Sequence, residues 1–102
     1  MGKRLNLTYA TGMVLQAIDT GYQYGFDIMD VSGLPDGTVY PALRRLQAAG
    51  LLNSRWEDAA AVEKRPLRRY YELTTEGRLK LAEARARYRG LELMIQGAAG
   101  QS

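Results

Sequence analysis

The chain has 102 residues, 46% of them hydrophobic and 25% charged, and its 14 Lys and Arg against 11 Asp and Glu leave a net charge of +3; this is the balance of one folded domain with a small core. It contains no cysteine and no histidine, which excludes disulfides, thiol chemistry and the usual zinc and copper ligands, and removes the commonest general base near neutral pH. No close carboxylate pair and no phosphate-cradling glycine loop stands out, so no catalysis, metal or cofactor is expected.

The N-terminal "MGKRLNLTYA" lacks the apolar core of a signal peptide, and Asn6 stands where a myristoylation pattern needs Ser or Thr. No apolar run approaches a membrane span, and the expected location is the cytoplasm. A first helix is predicted over Thr8 to Thr20. Ala10, Met13, Val14, Ala17 and Ile18 recur at i, i+3, i+4, i+7 and i+8, and Gly21 ends the pattern. Gly12 inside it costs about 1 kcal/mol of propensity. A shorter helix follows from Tyr24 to Val31, with Ile28 and Val31 inward, and stops at Ser32-Gly33.

The third predicted helix is "GTVYPALRRLQAAGLL", Gly37 to Leu52. Val39, Leu43 and Leu46 share one face. Pro41 is tolerable only near a helix start, where backbone amides have no intrahelical partner to lose. The N-cap is therefore expected within Asp36 to Thr38 and the end at Ala49, with Gly50 just beyond. Thr38 and Tyr40 then stand at the positive end of the helix dipole. Arg44 and Arg45 point away from the apolar face, and Arg44, four residues after Tyr40, shares its side.

After Gly50 the period changes. "LLNSRWE" and "LRRYYEL" have strand character and flank "DAAAVEKRP", which predicts an antiparallel hairpin with a basic tip at Lys64 to Pro66. In its second strand Tyr71 and Leu73 share one face, and Arg68, Tyr70 and Glu72 the other. "LTTEG" opens a last helix, with Thr74 or Thr75 as its cap and no capping box because Gly77 follows Thr74 by three. Along it Leu81, Ala84, Tyr88, Leu91 and Ile95 step by three and four, the spacing of a coiled-coil seam. Leu79, Ala82, Ala86 and Leu93 form a second, flanking apolar line. One small domain can hardly cover both lines, so the seam is expected to be a dimer interface. Residues 97–102 are expected to fray.

Charge is polarised along this order. Between Lys64 and Arg89 nine basic residues meet three acidic ones, a surplus of +6 against −3 over the rest. Three helices, a two-stranded ribbon and a final helix make a mainly α (α+β) chain of winged helix-turn-helix type. Residues 1–74 would form the winged domain, with the wing at about 51–73, and 75–96 a C-terminal helix in the same compact unit.

"YGFDI" at Tyr24–Ile28, "GTVYPALRRLQAAGLL" at Gly37–Leu52 and "RPLRRYYELTTEG" at Arg65–Gly77 fall in the order and at about the gaps of a known pattern. In these blocks the chain resembles the PadR family of transcriptional regulators, in its compact branch with a single short C-terminal helix. Two positions depart from it: Lys64 replaces the glycine that commonly precedes Arg-Pro at the wing tip, and "TGYQYG" replaces a Gly-Pro before Tyr-Gly. The resemblance implies a homodimer joined through its first and last helices, the third helix in the DNA major groove and the wing on the adjoining backbone.

Each candidate residue also has a plainer reading. Tyr40 is either a core residue with its hydroxyl at the rim or, by the family pattern, a DNA contact; Thr38 is a cap, a contact to a thymine methyl or phosphate, or both. With Pro41, Arg44 and Arg45 they form the expected DNA-reading set. Lys64, Arg65, Arg68 and Arg69 are a solubilising edge or, as expected here, a phosphate clamp. Trp56 is expected to anchor the wing to the body, with a ligand cavity shared with Tyr88 and Met94 as the alternative. Arg85, Arg87 and Arg89 are expected on a solvated helix face. The resulting expectation is a sequence-specific repressor that binds a palindromic operator as a homodimer and is released by a small planar effector. A ligand sensor or a protein-interaction module with little DNA binding is the rival.

Overall fold

The computed structural model describes residues 6–95. Helix α1 spans Tyr9–Asp19. Thr8 caps it, its Oγ1 accepting from the Thr11 N–H at 3.1 Å. The predicted stripe turns inward, burying Met13, Val14, Ala17 and Ile18. Gly12 has a packing reason, because a Cβ there would come within 3.3 Å of both Ala84 Cβ and Leu91 Cδ2. Helix α2 spans Gly25–Ser32 and ends on Gly33, whose φ of +73° gives the left-handed turn a glycine adopts without strain.

Helix α3 spans Asp36–Ala48. Its cap position is Pro35, one residue ahead of the expected Asp36–Thr38 window, and no side chain closes it. The Pro35 carbonyl instead takes the N–H groups of Thr38 and Val39 at 2.9 and 3.0 Å. Thr38 is thus the third helical residue and not a cap. Pro41 is the sixth, beyond the first turn, and has no N–H to offer the Gly37 carbonyl. Gly37 is exposed, with open space where a Cβ would stand, and the helix runs on past Pro41 to Ala48. Val39, Ala42, Leu43 and Leu46 are buried.

Strands β1 (Leu52–Trp56) and β2 (Arg69–Leu73) pair antiparallel, from Leu52 opposite Leu73 to Trp56 opposite Arg69. The face that Tyr71 and Leu73 share is the one turned to the core. A short 3-10 turn, Ala59–Ala61, lies in the connection. The segment before α2 adds a contact the sequence did not suggest: Tyr71 donates its N–H to the Gln23 carbonyl at 2.7 Å, and Tyr24 bridges Tyr70.

Helix α4 spans Thr75–Arg87. Thr74 caps it by accepting from the Gly77 N–H at 3.0 Å, and its hydroxyl donates to the Gly50 carbonyl at 2.7 Å. Gly77 presses against the preceding turn so closely that a Cβ would overlap the Leu51 carbonyl oxygen. The single last helix expected over 75–96 is broken. Its cap is Tyr88, Gly90 takes φ +81°, and a short α5 runs over Leu91–Met94.

That break decides where the predicted seam goes. Leu81, Ala84, Leu91 and Ile95 are at most 3% exposed within the one chain, packed with α1 in the subunit's own core. Tyr88 sets its ring edge against Tyr9, centroids 5.4 Å apart, and donates its hydroxyl to the Leu7 carbonyl at 2.8 Å. These five residues are therefore not a free dimer seam: the α1 stripe must be covered, and they cover it. The flanking line is the outward one, with Leu79 67% and Leu93 74% exposed and Ala82 and Ala86 also exposed. Two of the arginines expected on a solvated face are ties. Arg85 donates to the buried Gln16 Oε1 at 2.9 Å and to Asp19 at 3.1 Å, and Arg87 to the Leu7 carbonyl at 3.1 Å. The Met94 side chain and the tail 97–102 lie outside the described residues. Among the described residues no helix is long and apolar enough to cross a membrane.

Candidate nucleic-acid interface

Burial of Val39, Leu43 and Leu46 fixes the rotation of α3 and turns its other side outward. Tyr40 is 40% exposed, Arg44 and Arg45 are exposed, and Thr38 and Pro41 are half-buried. Tyr40 is thus at the surface, not in the core. Its ring lies over the first residue of α2, where a Cβ on Gly25 would come 2.5 Å from Tyr40 Cε1. The glycine of "YGFDI" therefore makes room for Tyr40, a role no local sequence signal announces.

The wing stands beside this face, and its cations are not loose. Arg65 forks onto Glu57, Nη1 to Oε1 at 2.8 Å and Nη2 to Oε2 at 2.9 Å, the bidentate geometry that suits guanidinium to carboxylate. Glu57 also accepts the Arg68 N–H at 2.8 Å and the Tyr70 hydroxyl at 3.2 Å. The Arg65 guanidinium first, then these two donors, hold its carboxyl well below the usual range, at about 2. The Arg68 guanidinium lies 4.3 Å over the Tyr24 ring. Arg69 donates from Nε to Ser54 Oγ at 3.0 Å and from Nη2 to Gln47 Oε1 at 3.4 Å, which ties the end of α3 to the wing.

Of the four cations expected to clamp phosphates, three are thus already held by their own chain. Lys64 alone projects without a partner among the described residues, at the tip and with φ +65°. Glu57, missed in the sequence, organises the group. Its one advance sign is an acidic residue closing a strand opposite a basic run.

Trp56 is 59% exposed, so it does not anchor the wing in the core. It lines a groove of about 570 Å³ between the wing and the start of α2 and α3, with Phe26, Tyr40, Leu67 and Arg68 among the walls. Tyr88 packs on α1 instead and does not line this groove. The cavity expected between Trp56, Tyr88 and Met94 does not form from the first two, since β1 and α4 carry them to different parts of the molecule.

Comparison with known proteins places this arrangement. Residues 14–83 match the model of the transcriptional regulator PadR-like family. A PadR family transcription regulator from Clostridium difficile superposes with a TM-score of 0.68 at 24% identity, over 84% of this chain and 93% of that one. One from Eggerthella lenta gives 0.60 at 27% identity, over 81% and 77%. The circadian clock associated protein Pex from anabaena gives 0.65 at 16% identity, over 84% and 79%, a likeness of fold alone. Among curated proteins none matches the chain.

Proposed function

This chain belongs to the PadR-like family of transcriptional regulators, and DNA-binding regulation is its activity; on that premise we propose that it is a repressor which binds a palindromic operator as a homodimer. The observation that carries the reading is the outward side of α3. Tyr40, Arg44 and Arg45 are exposed there, with Lys64 at the tip of the neighbouring wing. An α-helix of this kind fits the major groove, where an arginine paired bidentately with a guanine discriminates by about 1–3 kcal/mol. Thr38, Tyr40 and Arg44 supply base and near-base contacts in this reading. Lys64 adds a backbone contact, which sets register and carries no sequence information. The fixed cations Arg65, Arg68 and Arg69 line the approach to the wing.

The homodimer forms through the outward line Leu79, Ala82, Ala86 and Leu93, since the inner line is spent on the subunit's core. Two copies related by a twofold axis present two α3 helices to two half-sites, which is why the operator is palindromic. A small planar effector that binds at the dimer contact and changes the angle between the α3 helices releases the DNA. The test begins with selection of bound fragments from genomic DNA. Tyr40→Ala and Arg44→Ala are then expected to cut affinity for the selected site about tenfold each, with an unchanged melting temperature. Full operator affinity in both variants would reject α3 as the reading element.

A further inference from the structure

Phe26 and Trp56 have no place in the reading so far, yet they are among the most exposed apolar side chains of the described residues, at 66% and 59%. With Tyr40 at 40% and Leu67 at 38% they make four of the seven large exposed hydrophobics, and all four line the single groove between the wing and the start of α2 and α3. Apolar surface gathered in one concave place marks a contact. Its charge points to the occupant. Arg65, Arg68 and Arg69 lie in the lining and no carboxylate does; of the acidic groups beside it, Glu57 already holds Arg65 and Asp27 stands by the Tyr24 hydroxyl. An anionic occupant suits this better than an apolar peptide.

The docking geometry supplies the rest. When a helix lies in a major groove and the wing beside it reaches toward the next minor groove, the strand dividing the two grooves must pass between them. Resting on the DNA-binding reading above, we propose that this cleft seats one sugar–phosphate strand of the duplex, with Phe26 and Trp56 packed on the apolar faces of deoxyribose. Arg68, steadied over Tyr24 at 4.3 Å, faces the phosphates of that strand. Gly25 keeps the cleft open, because any side chain there would push Tyr40 into it. The contact recognises backbone and sugar, so it strengthens binding to every sequence alike and leaves discrimination to α3.

Trp56 is the only tryptophan and reports on its own contact. Mixed-sequence duplex DNA titrated into the full chain at low salt is expected to quench Trp56 emission saturably. Phe26→Ala and Trp56→Ala are each expected to weaken binding to mixed-sequence duplex about fivefold, consistent with partial burial of one aromatic side chain. The slope of log affinity against log salt should stay that of the parent chain, since an apolar contact releases no counterions. Trp56→Phe should recover most of the loss, and circular dichroism melts should not move. If both alanine variants bind DNA as the parent does, or saturating DNA leaves Trp56 emission unchanged, the cleft assignment is overturned while the function stands. A planar dye that quenches Trp56 without weakening DNA binding would also overturn it, in favour of a small-ligand site. If the parent chain binds no DNA, both readings fall together.

Discussion

Glu57 organises the wing more than any of the cations around it, because its two oxygens receive four hydrogen bonds, two from Arg65, one from the Arg68 N–H and one from the Tyr70 hydroxyl. A carboxyl whose folded pKa lies below its unfolded value stabilises the folded form above the unfolded value and loses that contribution as pH falls. Here the loss runs from about 4.5 down to about 2. A shift of Trp56 emission over that window is expected in the parent chain and should be absent from Glu57→Gln. At neutral pH Glu57→Gln frees Arg65, and trypsin is expected to cut after Lys64 several times faster; an unchanged cleavage rate would mean the wing holds without the carboxylate. Lys64 is the one non-glycine residue at positive φ among the described residues, at +65°. That conformation is costly for a side chain with a Cβ and easy for glycine. Lys64→Gly is therefore expected to raise stability by about 1 kcal/mol in urea unfolding while flattening the salt dependence of DNA binding. Stability and charge pull in opposite directions at this position.

At the scale of elements, the tightest joint is between α4 and the turn that leads from α3 into the wing. Gly77→Ala places a methyl on the Leu51 carbonyl, and overpacking of this kind costs about 1–3 kcal/mol. The urea midpoint is expected to fall with its slope unchanged, and an unmoved midpoint would show that the joint relaxes freely. Much of the element order is legible in the sequence, since Thr8, Thr74, Gly33 and Gly50 act through local chemistry and mark their helix ends wherever the chain goes. The α3 start is less so, because Pro35 caps through its carbonyl alone and leaves no side-chain signature. The last helix misleads for a different reason. Periodicity tells which residues share a face but not what that face meets, and Gly90 breaks the helix only through a backbone angle that its identity permits without requiring. The wing cations illustrate the same limit. Arg65, Arg68 and Arg69 look like one basic cluster until the hairpin brings Glu57 and Ser54 to them and the segment before α2 brings Tyr24.

For the whole molecule, the exchange of inner and outer lines on α4 and α5 changes which substitutions should separate two copies. Leu79→Lys combined with Leu93→Lys puts charge on side chains that are 67% and 74% exposed and is expected to give monomers by light scattering with the melt little changed. Leu91→Lys instead buries an unpaired charge at a site 1% exposed and is expected to unfold the subunit. If the double variant stays dimeric, the outward line is not the contact. A ribbon of two strands leaves two raw flanks, each a template onto which a stray chain can add. The Tyr71 amide bond to Gln23 and the bridge from Tyr24 to Tyr70 occupy the β2 flank from within. Among the described residues only β1 keeps an open flank, five residues long and carrying Asn53 and Arg55. Growth of fibres from this wing thus has one short, charged port of entry, and freeing the other would require α2 to lift away from the sheet.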